Sequence, residues 1–409
     1  MCVLMRSSVF THVALSLFVH ACHGRHGQAI KERKSSHHSP FIYVYSTHDA
    51  PLLQNVFERC NASSWGDNQY STELYFHKWL ASSPYSTADK ERASLFYVPV
   101  YTKCLKSMIG ADDTAALVRG VLESLLPFQL NGGEDHIFLF PSGAGPTFVP
   151  DWRALFKNSI FLMTEPHFTV EAAHHAPYFT PHKDILIPGY VGSLAKVQPW
   201  IETTATFHDR PTLALYIASD QDLPLRQRVR SFALRHSTKI ASPHLEGPDY
   251  VRELTRAKFC LVPRGLSSWT LRLFESILAG CVPVLINDHI RFPFEDALDY
   301  RRFTVKWPEN AVDESLVRYL ESVDESTWSD AFDATRRSMC HFVYFDAPGL
   351  HSCVYDGVMR QLRTRVKLHK SSPLVHWRLG SPLLDATHKP MIALRGPFDV
   401  EGVFDGLPH

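Results

Sequence analysis

The stretch FCLVPRGLSSWTLRLFESILAGCVPVLINDHIRFPF, residues 259–294, holds two apolar runs separated by a turn and an amphipathic segment. FCLVP predicts a buried parallel strand, and Arg264-Gly265 predicts a turn at its carboxyl end. Ser267 or Ser268 is then placed to cap a helix over TLRLFESILAG, and CVPVLIN predicts the next strand. This order of strand, turn, helix start and strand is typical of a phosphate site in a doubly wound α/β fold.

The polar residues of this stretch suit a nucleotide. Arg264 and Arg272 can form charge-assisted hydrogen bonds to a diphosphate at the helix start. Glu275 lies three residues after Arg272 on the same helix face, where a carboxylate can accept both ribose hydroxyls. The alternative for Arg272 and Glu275 is a surface ion pair of little energetic value. The predicted donor-binding set is Arg264, Gly265, Ser267, Ser268, Arg272, Glu275 and Asp288, and a polar interdomain surface is the alternative for the whole block.

Outside this block, apolar runs of four to eight residues alternate with segments of helical periodicity. Strand-like runs such as ASLFYVPVY, DHIFLFP and SIFLMTE come before residue 195, and TLALYIA follows residue 210. This alternation predicts two α/β halves with parallel sheets, joined near residues 195–210. The ligand cleft is expected at the carboxyl ends of the strands.

Composition and the first residues indicate the compartment. The 409-residue chain has 42 basic and 42 acidic residues and no long basic block, which argues against a nucleic-acid partner. The apolar run after Arg6 predicts a signal peptide or a marginal membrane anchor. Asn61-Ala62-Ser63 is an N-glycosylation acceptor sequence. The chain is therefore expected in the secretory pathway, in the Golgi lumen or membrane, or secreted.

Six cysteines remain after the predicted signal segment, an even number compatible with disulfides. We pair Cys60 with Cys104 and Cys340 with Cys353. Cys260 and Cys281 lie in apolar strand-like contexts and are expected as buried thiols.

A family resemblance extends this interpretation. The motifs CLVPRG, RLFESILAGCVPVLINDHIRFPF and LDYRRFTVKW resemble the exostosin domain of glycosyltransferase family 47. Upstream, YSTELYFHKWLASSPYSTADKERASLFYVPVY resembles the amino-terminal elements of that family. The resemblance extends from about residue 41 to residue 307, and its most specific part is residues 263–288.

The resemblance implies a GT-B fold, in which two Rossmann-like domains face each other across a cleft. It also implies inverting transfer of a sugar from a nucleoside diphosphate sugar, by family habit a uridine diphosphate sugar, to a polysaccharide or glycoprotein glycan. No cofactor or metal is required, because the helix dipole and basic side chains meet the leaving-group charge. The implied division is a signal segment (1–24), a stem (25–39), an acceptor domain (40–200), a nucleotide-sugar domain (201–330), helices packing back across both (331–372) and a tail (373–409).

The catalytic base is open between several residues of the amino-terminal half. An inverting displacement needs a carboxylate or imidazole within reach of the acceptor hydroxyl. Glu165 ranks first because it follows a strand's carboxyl end, ahead of Glu73 on a helix and His48 in a turn. Asp49 and His136 also lie on that side, and each of these residues has a structural alternative.

Two rival functions remain. Asp220 and Asp222 have the Asp-x-Asp spacing by which another glycosyltransferase architecture binds a divalent ion, although acidic residues before a helix commonly act as caps. A catalytically inactive partner subunit or glycan-binding protein is the rival from another class. An oligomer with itself or with another chain is compatible with the sequence.

Overall fold

The structure is a computed structural model that describes residues 41–166, 178–218, 223–244, 247–265, 267–288 and 290–371. The predicted signal segment, the stem, Asp220, Asp222 and the tail lie outside these residues. Within them, no helix is both long enough and apolar enough to cross a membrane.

The amino-terminal half is built on a parallel sheet with the strand order β2-β1-β3-β4-β5-β6. Its central strands pair in register through Phe96 with His136 and through Phe138 with Phe161. The strands are β1 (Ile42–Val44), β2 (Ser86–Thr87), β3 (Leu95–Tyr97), β4 (His136–Phe140), β5 (Ile160–Met163) and β6 (Ile185–Leu186).

The carboxyl-terminal half has a second parallel sheet with the strand order β11-β10-β9-β7-β8. The two runs of the opening stretch lie side by side in it, because Leu261 pairs with Val284. The strands are β7 (Thr212–Leu215), β8 (Ile240–Ala241), β9 (Ala257–Pro263), β10 (Val282–Ile286) and β11 (Val305–Trp307).

Helices cover both faces of each sheet. In chain order the α-helices of the described ranges are α1 (Leu53–Arg59), α2 (Ala62–Trp65), α3 (Thr72–Ser82), α4 (Thr102–Ile109), α5 (Ala111–Ser124), α6 (Leu126–Asn131), α7 (Trp152–Leu155), α8 (Leu194–Ile201), α9 (Pro224–Arg235), α10 (Gly247–Arg256), α11 (Leu271–Leu278), α12 (Glu314–Ser322), α13 (Glu325–Ser338) and α14 (Val354–Ser371).

The strands alternate their side chains between two apolar cores, as the pleat of a sheet requires. In β4, Phe138 joins the core with α1, α4 and α5, whereas Leu139 joins the core with α3 and α14. In β9, Cys260 packs with α8, α10 and α11, and Leu261 with α9 and α12. The two doubly wound α/β units of the predicted GT-B architecture are thereby confirmed.

The chain passes between the halves at two places. Tyr190 packs in the core shared by β3, β4 and α14, and the next residue, Val191, packs in the core around α11. After α13 the path reverses, because Val343 belongs to the core around α11 and Tyr344 to the core of the amino-terminal half. The Tyr344 hydroxyl donates to the carbonyl of Pro188 at 2.6 Å, so the two passages lie side by side.

Three disulfides join the six cysteines of the described residues. The predicted pairs Cys60–Cys104 and Cys340–Cys353 are confirmed. The expectation of buried thiols at Cys260 and Cys281 is wrong, since these residues form a third disulfide, between β9 and the residue before β10. Disulfides persist in oxidising compartments, and this agrees with a secretory route.

Candidate functional site

The turn after β9 differs from its prediction in where the next helix begins. Thr270, and not Ser267 or Ser268, is the N-cap of α11, and its side chain accepts a hydrogen bond from the Arg272 N–H. The Ser268 carbonyl instead accepts from the Asn287 side chain at 2.7 Å, which ties the turn to the end of β10. The predicted cap is therefore wrong, since Thr270 lies two residues after Ser268 and three after Ser267.

The predicted end of α11 is confirmed. Gly280 follows the helix with φ +63°, a left-handed conformation in which glycine is favoured. A β-carbon there would lie 2.4 Å from the Phe332 ring, so packing excludes a side chain as well.

Four arginines gather at the carboxyl ends of β7 and β9. Arg264 is 40% exposed, and its Nε donates to Glu309 at 2.8 Å. The Arg226 Nε donates to the Arg264 carbonyl at 3.3 Å. Burial lowers the pKa of Arg226, and the positive charge of Arg272 lowers it further. Burial raises the pKa of Tyr216, while the positive charges of Arg226, Arg230 and Arg272 oppose that shift.

The sequence prediction missed Arg226 and Arg230. Both lie on α9, one helical turn apart, and the run RQRVR at residues 226–230 was the available signal. Arg226 also lies against the turn, because a β-carbon on Gly265 would be 3.1 Å from its Nη2. Together with Arg264 and Arg272 they place four guanidinium groups at this edge of the sheet.

Glu275 is buried, with its side chain 6% exposed. Its Oε1 accepts from Lys196 Nζ at 3.0 Å and its Oε2 from the Tyr250 hydroxyl at 2.5 Å. Arg272 lies over the Tyr250 ring at 4.6 Å, and its Nη1 is 3.9 Å from Glu275. The alternative of an exposed surface pair is therefore wrong, because this carboxylate lies inside a network built from three separate elements.

Asp288 follows β10 at the same edge and is exposed. It accepts from the Glu309 N–H at 3.2 Å, and its own N–H donates to the Glu309 carboxylate at 3.3 Å. Since Glu309 also binds Arg264, Asp288 is connected to the arginine cluster through that residue.

Glu165 lies where the two halves meet. Its side chain accepts the backbone N–H of Trp269, in the loop before α11, at 3.2 Å. Glu165 is 1% exposed, and this burial raises its pKa to about 8, while the Trp269 hydrogen bond opposes the shift. Of the three candidate bases, this one contacts the loop before α11, which holds the predicted donor-binding residues Ser267 and Ser268 and is called the donor loop below.

The structure places Glu73 and His48 in different surroundings. Glu73 is fully buried and accepts the Cys104 N–H at 2.9 Å at the start of α4. Burial raises the pKa of Glu73 to about 8. His48 is exposed in the turn after β1, and its N–H donates to Ser46 at 3.3 Å.

The other two residues on that side have structural partners. His136 is buried and bonds the Tyr45 hydroxyl at 2.9 Å, and its other ring nitrogen bonds Asp135 at 2.7 Å. Asp49 accepts from Ser46 and pairs with Lys90.

One group within the described residues has metal-ligand atoms close together. The ligand atoms of Cys340, His341 and Cys353 lie within 4.8 Å of one another. The two sulfurs are bonded to each other, so they are not available as thiolate ligands. The Asp-x-Asp pair, which lies outside the described residues, stays a sequence hypothesis.

Comparison with known proteins identifies the relatives of this chain. The Exostosin GT47 domain matches residues 36–323. A "probable glucuronoxylan glucuronosyltransferase" of Arabidopsis thaliana is 28% identical, over 73% of this chain and 66% of that protein. "Probable beta-1,4-xylosyltransferase IRX10L" of Arabidopsis thaliana is 25% identical, over 87% of this chain and 88% of that protein. A second probable glucuronoxylan glucuronosyltransferase of the same plant, IRX7, is 29% identical, over 66% of this chain and 62% of that protein.

A solved structure also matches. The pneumococcal O-GlcNAc transferase GtfA in complex with UDP and GlcNAc is 10% identical, with a TM-score of 0.34, over 63% of this chain and 60% of that chain.

Proposed function

The chain belongs to the exostosin GT47 family of glycosyltransferases, and from that premise we propose that it transfers a sugar with inversion from a uridine diphosphate sugar to a glycan acceptor. The observation that carries this proposal is the arginine cluster at the start of α11, beside the buried carboxylate of Glu275. The relatives' names refer to xylosyl and glucuronosyl transfer and to glucuronoxylan, which favours a cell-wall polysaccharide as the acceptor.

The donor would lie on the carboxyl-terminal half. Arg264, Arg272 and Arg226 would bind the diphosphate, with Gly265, Ser267 and Ser268 forming the backbone around it. The start of α11 adds the positive end of the helix dipole. Glu275 would accept the ribose hydroxyls, since a carboxylate oxygen that already accepts one hydrogen bond keeps a second acceptor site.

In the reaction the acceptor hydroxyl oxygen forms a bond to the anomeric carbon while the bond from that carbon to the diphosphate oxygen breaks. The electron pair of the broken bond leaves with the diphosphate, where the arginines stabilise the added charge. No metal is needed in this scheme. Activity that survives a chelator supports it, and activity lost to the chelator favours the rival that uses Asp220 and Asp222.

Glu165 is the proposed base that takes the proton from the acceptor hydroxyl. It follows β5 at the carboxyl edge of the amino-terminal sheet and contacts the donor loop. Because its pKa is raised to about 8, the carboxylate fraction of the free enzyme increases as pH rises through that value. We therefore expect kcat/KM to rise with pH up to about 8.

The test is incubation of the purified chain with a panel of nucleotide sugars and xylan or other wall oligosaccharides. We expect transfer by the wild type, loss of donor binding in Glu275→Ala, and a kcat lowered about 10²-fold or more in Glu165→Gln with donor affinity kept. Glu202→Ala changes an exposed carboxylate of the carboxyl-terminal half and serves as the control. Glycan binding without transfer or donor hydrolysis would instead support an inactive partner subunit or binding protein.

The compartment is part of the proposal. The three disulfides support a secretory route, with the Golgi as the expected site and residues 1–24 as the targeting segment or anchor. Fractionation of cells that express the full chain tests this, because a cytosolic and reduced protein would contradict it.

A further inference from the structure

A second charged surface lies on the amino-terminal half, near Glu165. It is formed by Tyr70, Lys103, Lys106 and Phe148, which we call the lysine–aromatic surface. Lys103 and Lys106 lie on α4 after β3, and Phe148 ends a short 3₁₀ helix after β4. Because β3, β4 and β5 are neighbours in a parallel sheet, this surface and Glu165 occupy the same carboxyl edge, where α/β folds bind ligands.

The surface continues to the donor loop of the other half. The Tyr70 ring stacks against Trp269 with centroids 6.3 Å apart and an interplanar angle of 29°. Trp269 in turn donates its backbone N–H to Glu165. A sugar bound over Tyr70 would therefore lie beside both the proposed base and the donor loop.

The two lysines have aromatic neighbours and, within the described residues, form no ion pair. Lys103 Nζ lies 4.7 Å from the Tyr70 ring centroid and 5.7 Å from that of Phe148, and Lys106 Nζ lies 5.8 Å from Phe148. By contrast, Lys90 and Lys196 each bind a carboxylate directly. Burial lowers the pKa of Lys103 and the positive charge of Lys106 adds to that effect, while the buried Glu73 opposes it.

Two like charges held side by side repel each other, and a carboxylate placed between them would relieve that repulsion. Tyr70 and Phe148 are only half-buried, so part of each apolar ring is exposed for contact with the C–H groups of a sugar. Cations and rings at one cleft edge thus match a ligand that is both saccharide and anion.

We propose that the lysine–aromatic surface binds the acceptor through a uronic acid residue, so that the acceptor glycan carries a carboxylate close to the sugar that is extended. This inference rests on the proposed function, in which the amino-terminal half binds the acceptor. It adds the chemical class of the acceptor and the residues that select it.

The test is binding of the full chain to defined hexasaccharides without donor. The probes are oligogalacturonate and glucuronic-acid-substituted xylo-oligosaccharide, each beside its carboxyl-reduced form, measured by calorimetry at two salt concentrations. We expect at least one acidic probe to bind about tenfold more tightly than its reduced form, with a preference that weakens at high salt. The double variant Lys103→Gln/Lys106→Gln should lose this preference. Tyr70→Ala should weaken the binding of acidic and reduced probes by the same factor.

Lys157→Gln is the matched control, since Lys157 is an exposed lysine of the same half outside the surface. It should keep the preference. Equal binding of acidic and reduced probes by the wild type, no binding of any acidic probe, or a preference that survives in the double variant with unchanged thermal unfolding would each overturn the inference. Binding of uridine diphosphate is measured on the same samples, so failure of the donor proposal is seen separately.

Discussion

The buried carboxyl of Glu73 gives a sharp prediction about stability. It is fully buried with its Oε1 on the Cys104 N–H, and among the described residues its Oε2 has no hydrogen-bond partner. Burial raises its pKa from the ordinary 4.5 to about 8. Between these two values the folded chain keeps a proton that the unfolded chain has lost, so the free energy of unfolding falls as pH rises.

The size of the effect follows from the two pKa values. Each pKa unit corresponds to about 1.4 kcal/mol, so the 3.5 units from 4.5 to 8 amount to about 5 kcal/mol. At pH 6, this protonation lowers the free energy of unfolding by about 2 kcal/mol relative to its value at low pH. The amide of Glu73→Gln does not titrate and keeps the carbonyl that accepts from Cys104. The variant should therefore match the wild type within about 1 kcal/mol near pH 4.5 and become more stable than it toward pH 8.

The assay is urea unfolding of wild type and Glu73→Gln from pH 4.5 to 8 with disulfides intact, followed by tryptophan fluorescence. Titration of Glu165 in the same range is common to both chains and cancels in their difference. Glu91→Gln, at an exposed carboxyl of the same half, is the control and should differ from wild type by less than about 0.5 kcal/mol throughout. If the difference in the free energy of unfolding between wild type and Glu73→Gln stays constant with pH, the reasoning is refuted.

Three further predictions concern other parts of the chain. Arg272→Met should weaken uridine diphosphate binding about tenfold to a hundredfold by calorimetry, whereas Arg235→Met, at an exposed position of α9, should not. Gly189→Ala places a β-carbon 2.6 Å from the Trp269 ring, so it should lower stability by about 1–3 kcal/mol and shift the pH profile of activity; an unchanged melting temperature would contradict this. Asn61 is exposed, and a glycosylated amide keeps the oxygen that caps α2 and one N–H for the Glu58 carbonyl, so secreted wild type should lose mass on glycosidase treatment and Asn61→Gln should not.

Long apolar runs made most of the fold predictable from sequence. β4, β5, β9 and β10 are buried on both faces and therefore read as continuous apolar segments. By contrast, β2 has two residues, Ser86–Thr87, and pairs at a sheet edge, so no run marked it. A run of apolar residues indicates burial, and a two-residue edge strand buries too few side chains to produce such a run.

The candidate site was predictable where its residues are local and was not where they come from distant segments. The stripe of α11 put Glu275 beside the buried face, but its burial depends on Lys196 and Tyr250, which lie 79 and 25 residues away. The Cys260–Cys281 disulfide likewise depends on β9 and β10 being neighbours, and an apolar context alone favours free thiols. The tie from Asn287 to the Ser268 carbonyl, 19 residues apart, and the start of α11 two residues later, with Thr270 as its cap, were likewise not visible in the local sequence.

The paired passages between the halves have a mechanical consequence. The Tyr344–Pro188 hydrogen bond holds the two crossing segments together, so a rotation of one half relative to the other would bend both segments at this point. Such a rotation would separate Trp269 from Glu165, since their hydrogen bond joins the two halves. Binding of the proposed sugar nucleotide and the surroundings of the proposed base would then change together.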